Sequence, residues 1–87
     1  MREVRFTPDG WDAYTWWQGQ DRKTLKRINA LIDAACRDPF EGIGKPEPLV
    51  GNLAGFWSRR IDDTNRLVYE ADEVSVLIVA CRFHYDD

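Results

Sequence analysis

Three groups of residues in this chain carry side chains that could do chemistry together. The first is Gly44-Lys45-Pro46-Glu47-Pro48-Leu49, which sets a carboxylate between two prolines. Proline fixes its own φ and pushes the residue before it toward extended backbone, so Lys45 and Glu47 are expected in a stiff, extended piece of loop. Stiffness suits a catalytic carboxylate, because small misplacements cost rate. The second group is cationic: Arg59 and Arg60 within Phe56-Trp57-Ser58-Arg59-Arg60-Ile61, and Arg66 within Asn65-Arg66-Leu67-Val68-Tyr69. Strand alternation sends Arg59 and Arg60 to opposite faces, so one of them can face the same way as Arg66. The guanidinium fork matches phosphate oxygens. The third group is Cys81-Arg82-Phe83-His84-Tyr85, which contains the one histidine of the sequence. A period of two puts Arg82 and His84 on one face, and Phe83 and Tyr85 on the other.

An imidazole, a stiff carboxylate and arginines are the set that RNA cleavage without a metal requires. One group takes a proton from the 2′-hydroxyl and another gives one to the leaving 5′-oxygen. Cations stabilise the phosphorane-like charge that builds between them. Each feature also has an ordinary reading. Glu47 fits a surface position in a Pro-rich turn, the arginines fit exposed strand positions in ion pairs, and His84 fits an exposed position. Spacing alone does not choose between the two.

The elements that must position these residues are legible in outline. Residues 2–6 alternate and read as a short strand. Thr7-Pro8-Asp9 is a helix start, with a hydroxyl cap, Pro at the first position and an acid in the first turn. That helix is expected to run to about Gln18, with Trp11, Tyr14 and Trp17 on one face. Asp21 can cap a second helix ending near Arg37, buried along Leu25, Ile28, Ile32 and Ala35. Arg22, Lys23, Lys26 and Arg27 crowd its first turns, either as a solvated face or as a phosphate-contacting one. Asp38-Pro39 breaks it. Residues 39–52 hold three Pro and three Gly with no period, a long loop of the kind that tends to be functional. Strand patterns follow at Phe56–Ile61, Arg66–Glu70 and Val74–His84, joined by short turns that imply an antiparallel meander. Val74–Phe83 is apolar at both parities and is expected to be central and covered on both faces. The order is β-α-α-β-β-β, an α+β arrangement of two N-terminal helices on a mainly antiparallel sheet, in a single domain spanning 1–87.

Bulk composition narrows the function classes. At 87 residues and 44% apolar content the chain suits one small folded domain. It has no apolar run long enough for a membrane span and no signal-like start, so a cytoplasmic protein is expected. Cys36 and Cys81 lie in a helical and a strand pattern and read as buried apolar residues, not a disulfide framework. No metal site and no cofactor are expected. The net charge of −3 argues against a general nucleic-acid binder, so any basic patch must be local. Residues 42–70 hold Lys45, Arg59, Arg60 and Arg66 against Glu47, Asp62, Asp63 and Glu70, while 71–87 is acidic except for Arg82.

Taken together in chain order, several segments resemble the YoeB (Txe/YoeB) toxins of the RelE/ParE superfamily. They are Trp16-Trp17, Asp38-Pro39-Phe40-Glu41-Gly42, Gly44-Lys45-Pro46-Glu47-Pro48-Leu49, Gly55-Phe56-Trp57-Ser58-Arg59-Arg60-Ile61, Arg66-Leu67-Val68-Tyr69 and Ala80-Cys81-Arg82-Phe83-His84-Tyr85. The departure is Asp86-Asp87, which extends past the His-Tyr pair near which members of the family commonly end. The resemblance implies a RelE-like fold and a type II toxin that cuts mRNA in the A site of the bacterial 70S ribosome, leaving a 2′,3′-cyclic phosphate and a 5′-hydroxyl. It implies a YefM-type antitoxin as partner, a homodimer, and no membrane association. Glu47 would be the general base, His84 the general acid and Arg66 the stabiliser of the transition state. Lys45, Arg59, Arg60, Arg82 and Tyr85 would bind RNA or support the site. On the strength of its charge, the Arg22, Lys23, Lys26 and Arg27 cluster would then touch the ribosome's RNA. Two other classes stay open: a ParE-like toxin that is not a nuclease, and a pure protein-interaction domain. The Glu47–Arg66–His84 set is what separates the first reading from these.

Overall fold

The computed structural model describes residues 1–83. The chain opens with strand β1 (Glu3–Phe6) and passes directly into helix α1 (Pro8–Gln18). The expected start is in place: Thr7 Oγ1 accepts from the Gly10 amide at 3.0 Å, with Pro8 at the first turn. Helix α2 (Arg22–Arg37) follows, capped by the Asp21 carboxylate, which accepts from the Lys23 amide and the Thr24 hydroxyl. Its buried stripe is wider than the sequence suggests. Leu31 and Cys36 join Ile28, Ile32 and Ala35 inside, while Leu25 is half-buried.

Beyond α2 come β2 (Glu47–Pro48), a single 3₁₀ turn (Gly51–Leu53), β3 (Trp57–Arg60), β4 (Arg66–Ala71) and β5 (Ser75–Ala80). They form one five-stranded sheet in the order β1-β5-β4-β3-β2. β1 runs parallel to β5, and the other pairs are antiparallel. The long loop expected over residues 39–52 thus contains a strand. β2 pairs Glu47 with Ser58 and Pro48 with Trp57, and two residues are too few to display a period.

The helices cover one face of the sheet. Trp17, Ile28, Leu31, Ile32, Ala35 and Cys36 meet Ile61, Leu67, Tyr69, Val76, Ile78 and Cys81 there. Trp17 also donates from Nε1 to the Cys81 carbonyl at 2.8 Å, tying α1 to the chain beyond β5. Trp11 stays half exposed instead of entering the core with Tyr14 and Trp17, and packs edge-on to Phe6 at 5.3 Å. Both cysteines are buried and free, as expected.

β5 is central, but shorter than the expected Val74–His84. A bulge opposite Val68/Tyr69 leaves Val79 without a partner, and the regular strand ends at Ala80. Val76 and Ile78 are fully buried while Leu77 and Val79 are only half-buried, so the second face is covered in part. Among the described residues, no helix is long and apolar enough to cross a membrane.

Candidate active site

Sheet register decides which candidate residues share a face. Glu47 lies opposite Ser58, Ser58 opposite Val68, and Val68 opposite Ala80. One pleat along, Arg60 lies directly opposite Arg66. Because side chains alternate with period two, Glu47, Ser58, Arg60, Arg66 and Val68 all stand on the face away from the helices. Two strand spacings and two residues of rise separate the Glu47 and Arg66 backbones, about 10 Å across and about 7 Å along. Both side chains are long enough to serve a substrate lying between them. Glu47, Lys45 and Arg60 are exposed and Arg66 is half-buried.

The approach to Glu47 differs from expectation in one respect. Glu47 is extended, in a strand. Lys45, also before a proline, has φ +50, in the left-handed region. The pre-proline bias is a preference of the isolated backbone, and the surroundings override it here. Gly44 has φ +84, and an added Cβ there would meet Leu31 Cδ2 at 2.6 Å and Arg59 Cβ at 3.1 Å, so the position suits only glycine. Its carbonyl accepts the Arg60 amide at 2.6 Å, and the chain must then turn sharply to bring Glu47 onto β3.

Arg59 does not belong to the open face. It lies opposite Leu67 on the helix side and has no exposed surface. Its guanidinium bonds Tyr69 Oη and the carbonyls of Asp38, Glu41 and Ile43. A side chain sealed in this way cannot touch RNA, so of the two roles expected of Arg59, binding RNA or supporting the site, only the second is open to it. Burial pushes the Tyr69 phenol pKa up, and the adjacent Arg59 opposes that shift.

The end of the described chain is drawn to Arg66. Asp62 accepts from the Thr64 and Asn65 amides at 2.8 and 2.7 Å and from Asn65 Nδ2. Partial burial raises the Asp62 carboxyl, but these bonds outweigh it and hold the pKa below the usual carboxylate range. Asn65, oriented by Asp62, accepts the Phe83 amide on Oδ1 at 2.6 Å, and the Phe83 carbonyl accepts the Arg66 amide at 3.1 Å. Asn65 thus has a positioning part that sequence reading missed, since an Asn in a turn gives no hint of a partner 18 residues away.

Phe83 has φ +69, so strand alternation does not continue through it. The expectation that period two governs Arg82 and Phe83 is corrected accordingly. The Arg82 guanidinium lies between two rings instead, 3.5 Å from the Trp16 centroid and 4.4 Å from that of Phe83. His84 and Tyr85 lie outside the described residues.

On α2, Arg22, Lys23 and Lys26 are exposed and unite in one basic surface. Arg27 leaves this cluster in part, donating from Nη2 to the Arg60 carbonyl at 3.1 Å. It joins the basic end of α2 to the strand that carries Arg60, so cations continue from the helix to the open face.

The sequence profile described as YoeB-like toxin of bacterial type II toxin-antitoxin system matches residues 6–85. Toxin YoeB of Synechocystis sp. is 57% identical over 83 residues, which is 95% of this chain and 96% of that protein. Among solved structures, the YoeB/ParE toxin from Agrobacterium tumefaciens superposes with a TM-score of 0.90 at 45% identity, covering 95% of this chain and 99% of the other. The YoeB dimer from Staphylococcus aureus gives 0.89 at 41% identity, over 97% and 98%. A YoeB-YefM complex from the same organism gives 0.88 at 40%, over 98% and 99%. In sequence and in fold alike, the chain belongs to the YoeB-like toxins of bacterial type II toxin-antitoxin systems.

Proposed function

We propose that this toxin is an endoribonuclease that cuts mRNA in the ribosomal A site without a metal, using the RNA's own 2′-hydroxyl as nucleophile. The observation that carries the reading is the shared open face, with Glu47 at one edge and the Arg60–Arg66 pair beyond it. The main-chain tie from Phe83 to Asn65 and Arg66 adds to it, because His84 is covalently joined to Phe83. Glu47 takes the 2′-hydroxyl proton and Arg66 stabilises the charge that develops on the phosphoryl oxygens. His84 protonates the leaving 5′-oxygen, leaving a 2′,3′-cyclic phosphate and a 5′-hydroxyl. Arg60, Lys45, Arg82 and Tyr85 support binding.

The ribosome supplies what a chain of net charge −3 lacks. It holds the codon in one conformation, so alignment of the reacting atoms is not left to the toxin. Its RNA is also a polyanionic surface for Arg22, Lys23, Lys26 and Arg27. The site of action is therefore the cytoplasm. By analogy with the Staphylococcus aureus structures, the toxin forms a homodimer and is neutralised by a YefM-type antitoxin.

Primer extension on mRNA, free and bound to 70S ribosomes, tests this reading. Cleavage is expected on ribosomes, far faster than on free RNA, and is expected to stop when the nucleotide 5′ of the cut is 2′-deoxy. Glu47→Gln and Arg66→Ala should each lower the rate by about 10²–10⁴. Charge reversal at Lys23 and Lys26 should slow only the ribosomal reaction. Equal rates on free and bound RNA, or a cut at a deoxy position, would show the reading to be wrong.

A further inference from the structure

Arg59 is the largest fully buried side chain among the described residues. Its charge has no carboxylate partner there, since the ion pair found among the described residues is Arg37 with Asp33. Dipoles solvate it instead. Nε donates to Tyr69 Oη at 2.9 Å, Nη1 to the Ile43 carbonyl at 2.9 Å, and Nη2 to the Asp38 and Glu41 carbonyls at 2.6 and 2.9 Å. The Tyr69 hydroxyl in turn donates a hydrogen bond to the Pro39 carbonyl. Arg59 and Tyr69 are diagonal neighbours on paired strands, on the helix side of the sheet.

An isolated buried cation is expensive, so this one must be held by the groups around it, and in turn it holds them. The carbonyls of residues 38, 39, 41 and 43 belong to a segment with no helix or strand of its own. They converge on two side chains, which therefore dictate the path of the segment. The consequence reaches Glu47 within a few residues. The Gly44 carbonyl receives the Arg60 amide, Lys45 makes the left-handed turn, and Glu47 joins β3 opposite Ser58. Arg59 stands between Ser58 and Arg60, so one stretch of β3 grips the loop from inside and receives its end from outside.

We infer that the Arg59–Tyr69 pair is the positioning device for Glu47, a guanidinium solvated by carbonyls that sets the course of residues 38–44 and so the place of the carboxylate on the open face. Neither residue touches substrate. Lysine could not replace Arg59, because a compact ammonium cannot address carbonyls spread around a planar fork. The catalytic consequence rests on the function proposed above, but the positioning itself does not.

Tyr69→Phe is the least disruptive test, since it keeps the ring and removes only the hydroxyl that links Arg59 to Pro39. Amide exchange should rise about tenfold or more at Arg60 and Leu49, whose amides bond Gly44 and Phe56, and stay unchanged at Glu3 and Thr7, which bond across the far side of the sheet. On ribosome-bound mRNA, kcat should fall about tenfold with KM within about twofold, and adding Tyr69→Phe to Glu47→Gln should change kcat by less than about twofold. Unchanged exchange at Arg60 and Leu49, or a full loss repeated in the Glu47→Gln background, would overturn the inference. If Tyr69→Phe does not fold, the unaltered protein still decides. Its Arg59 Nε–H should exchange with water at least about 100-fold more slowly than that of exposed Arg22, and equal exchange would overturn the inference. If the unaltered protein leaves ribosome-bound mRNA intact, the function falls while the exchange results still stand or fall separately.

Discussion

The two buried thiols answer to pH in the same direction. Burial pushes the Cys81 thiol up to about 11, and Cys36 is raised by the same cause, with Asp33 adding to it. A free thiol ionises near ~8.5, so the folded state favours the neutral form of Cys81. Its contribution to stability is complete below that value and is lost as pH rises from there through about 11. The melting temperature should therefore fall over this alkaline window, and a Cys81→Ala variant should show less of that fall. At pH 8 neither thiol should react with a disulfide reagent until urea is added, and rapid reaction of the native protein at both positions would contradict the burial. The alternation of Arg59 and Arg60 was legible in the sequence, whereas the choice of which one faces inward was not. That choice depends on register against Leu67 and Arg66, and register is set by packing across the sheet.

At the scale of elements, the two helices were the most legible because their signals are local. A Thr-Pro-Asp start and an Asp cap act through atoms within three residues, and both bond as read. What the sequence hid depends on distant neighbours. β2 is two residues long and exists only because β3 is beside it. Lys45 disobeys the rule for a residue before proline because the Gly44–Arg60 bond and the Glu47–Ser58 pairing fix the chain on either side of the turn. β5 stops early because of a bulge and because Asn65 captures the Phe83 amide. Gly10 shows the same lesson in reverse. It sits in α1 with an ordinary helical role, yet an added Cβ would overlap the Ile78 carbonyl, so α1 could not lie so close to β5 with any other residue there. Gly10→Ala should destabilise the protein by about 1–3 kcal/mol despite alanine's better helix propensity. Urea denaturation would read this as a lower midpoint, and a raised midpoint would mean that propensity dominates.

At the scale of the whole molecule, the sheet is ordered quite unlike the chain. β1 and β5 are neighbours although Glu3 and Ser75 are 72 residues apart, and β5 fills the gap between β1 and β4. A polypeptide is made from its N-terminus, so β5 is the last of these strands to leave the ribosome that synthesises it. Before that moment β1 has no neighbour, β4 has a bare edge, and Val76, Ile78 and Cys81 are missing from the core. The Ile78 carbonyl that holds Thr7 does not yet exist, and neither does the Phe83 tie to Arg66. Nascent chains arrested with residues 75–83 still inside the tunnel should therefore be digested readily by protease, and chains arrested farther downstream should resist. Equal resistance would mean that the helices and β2–β4 hold together alone. The strand order thus acts as a timer, keeping the sheet unassembled until β5 has emerged.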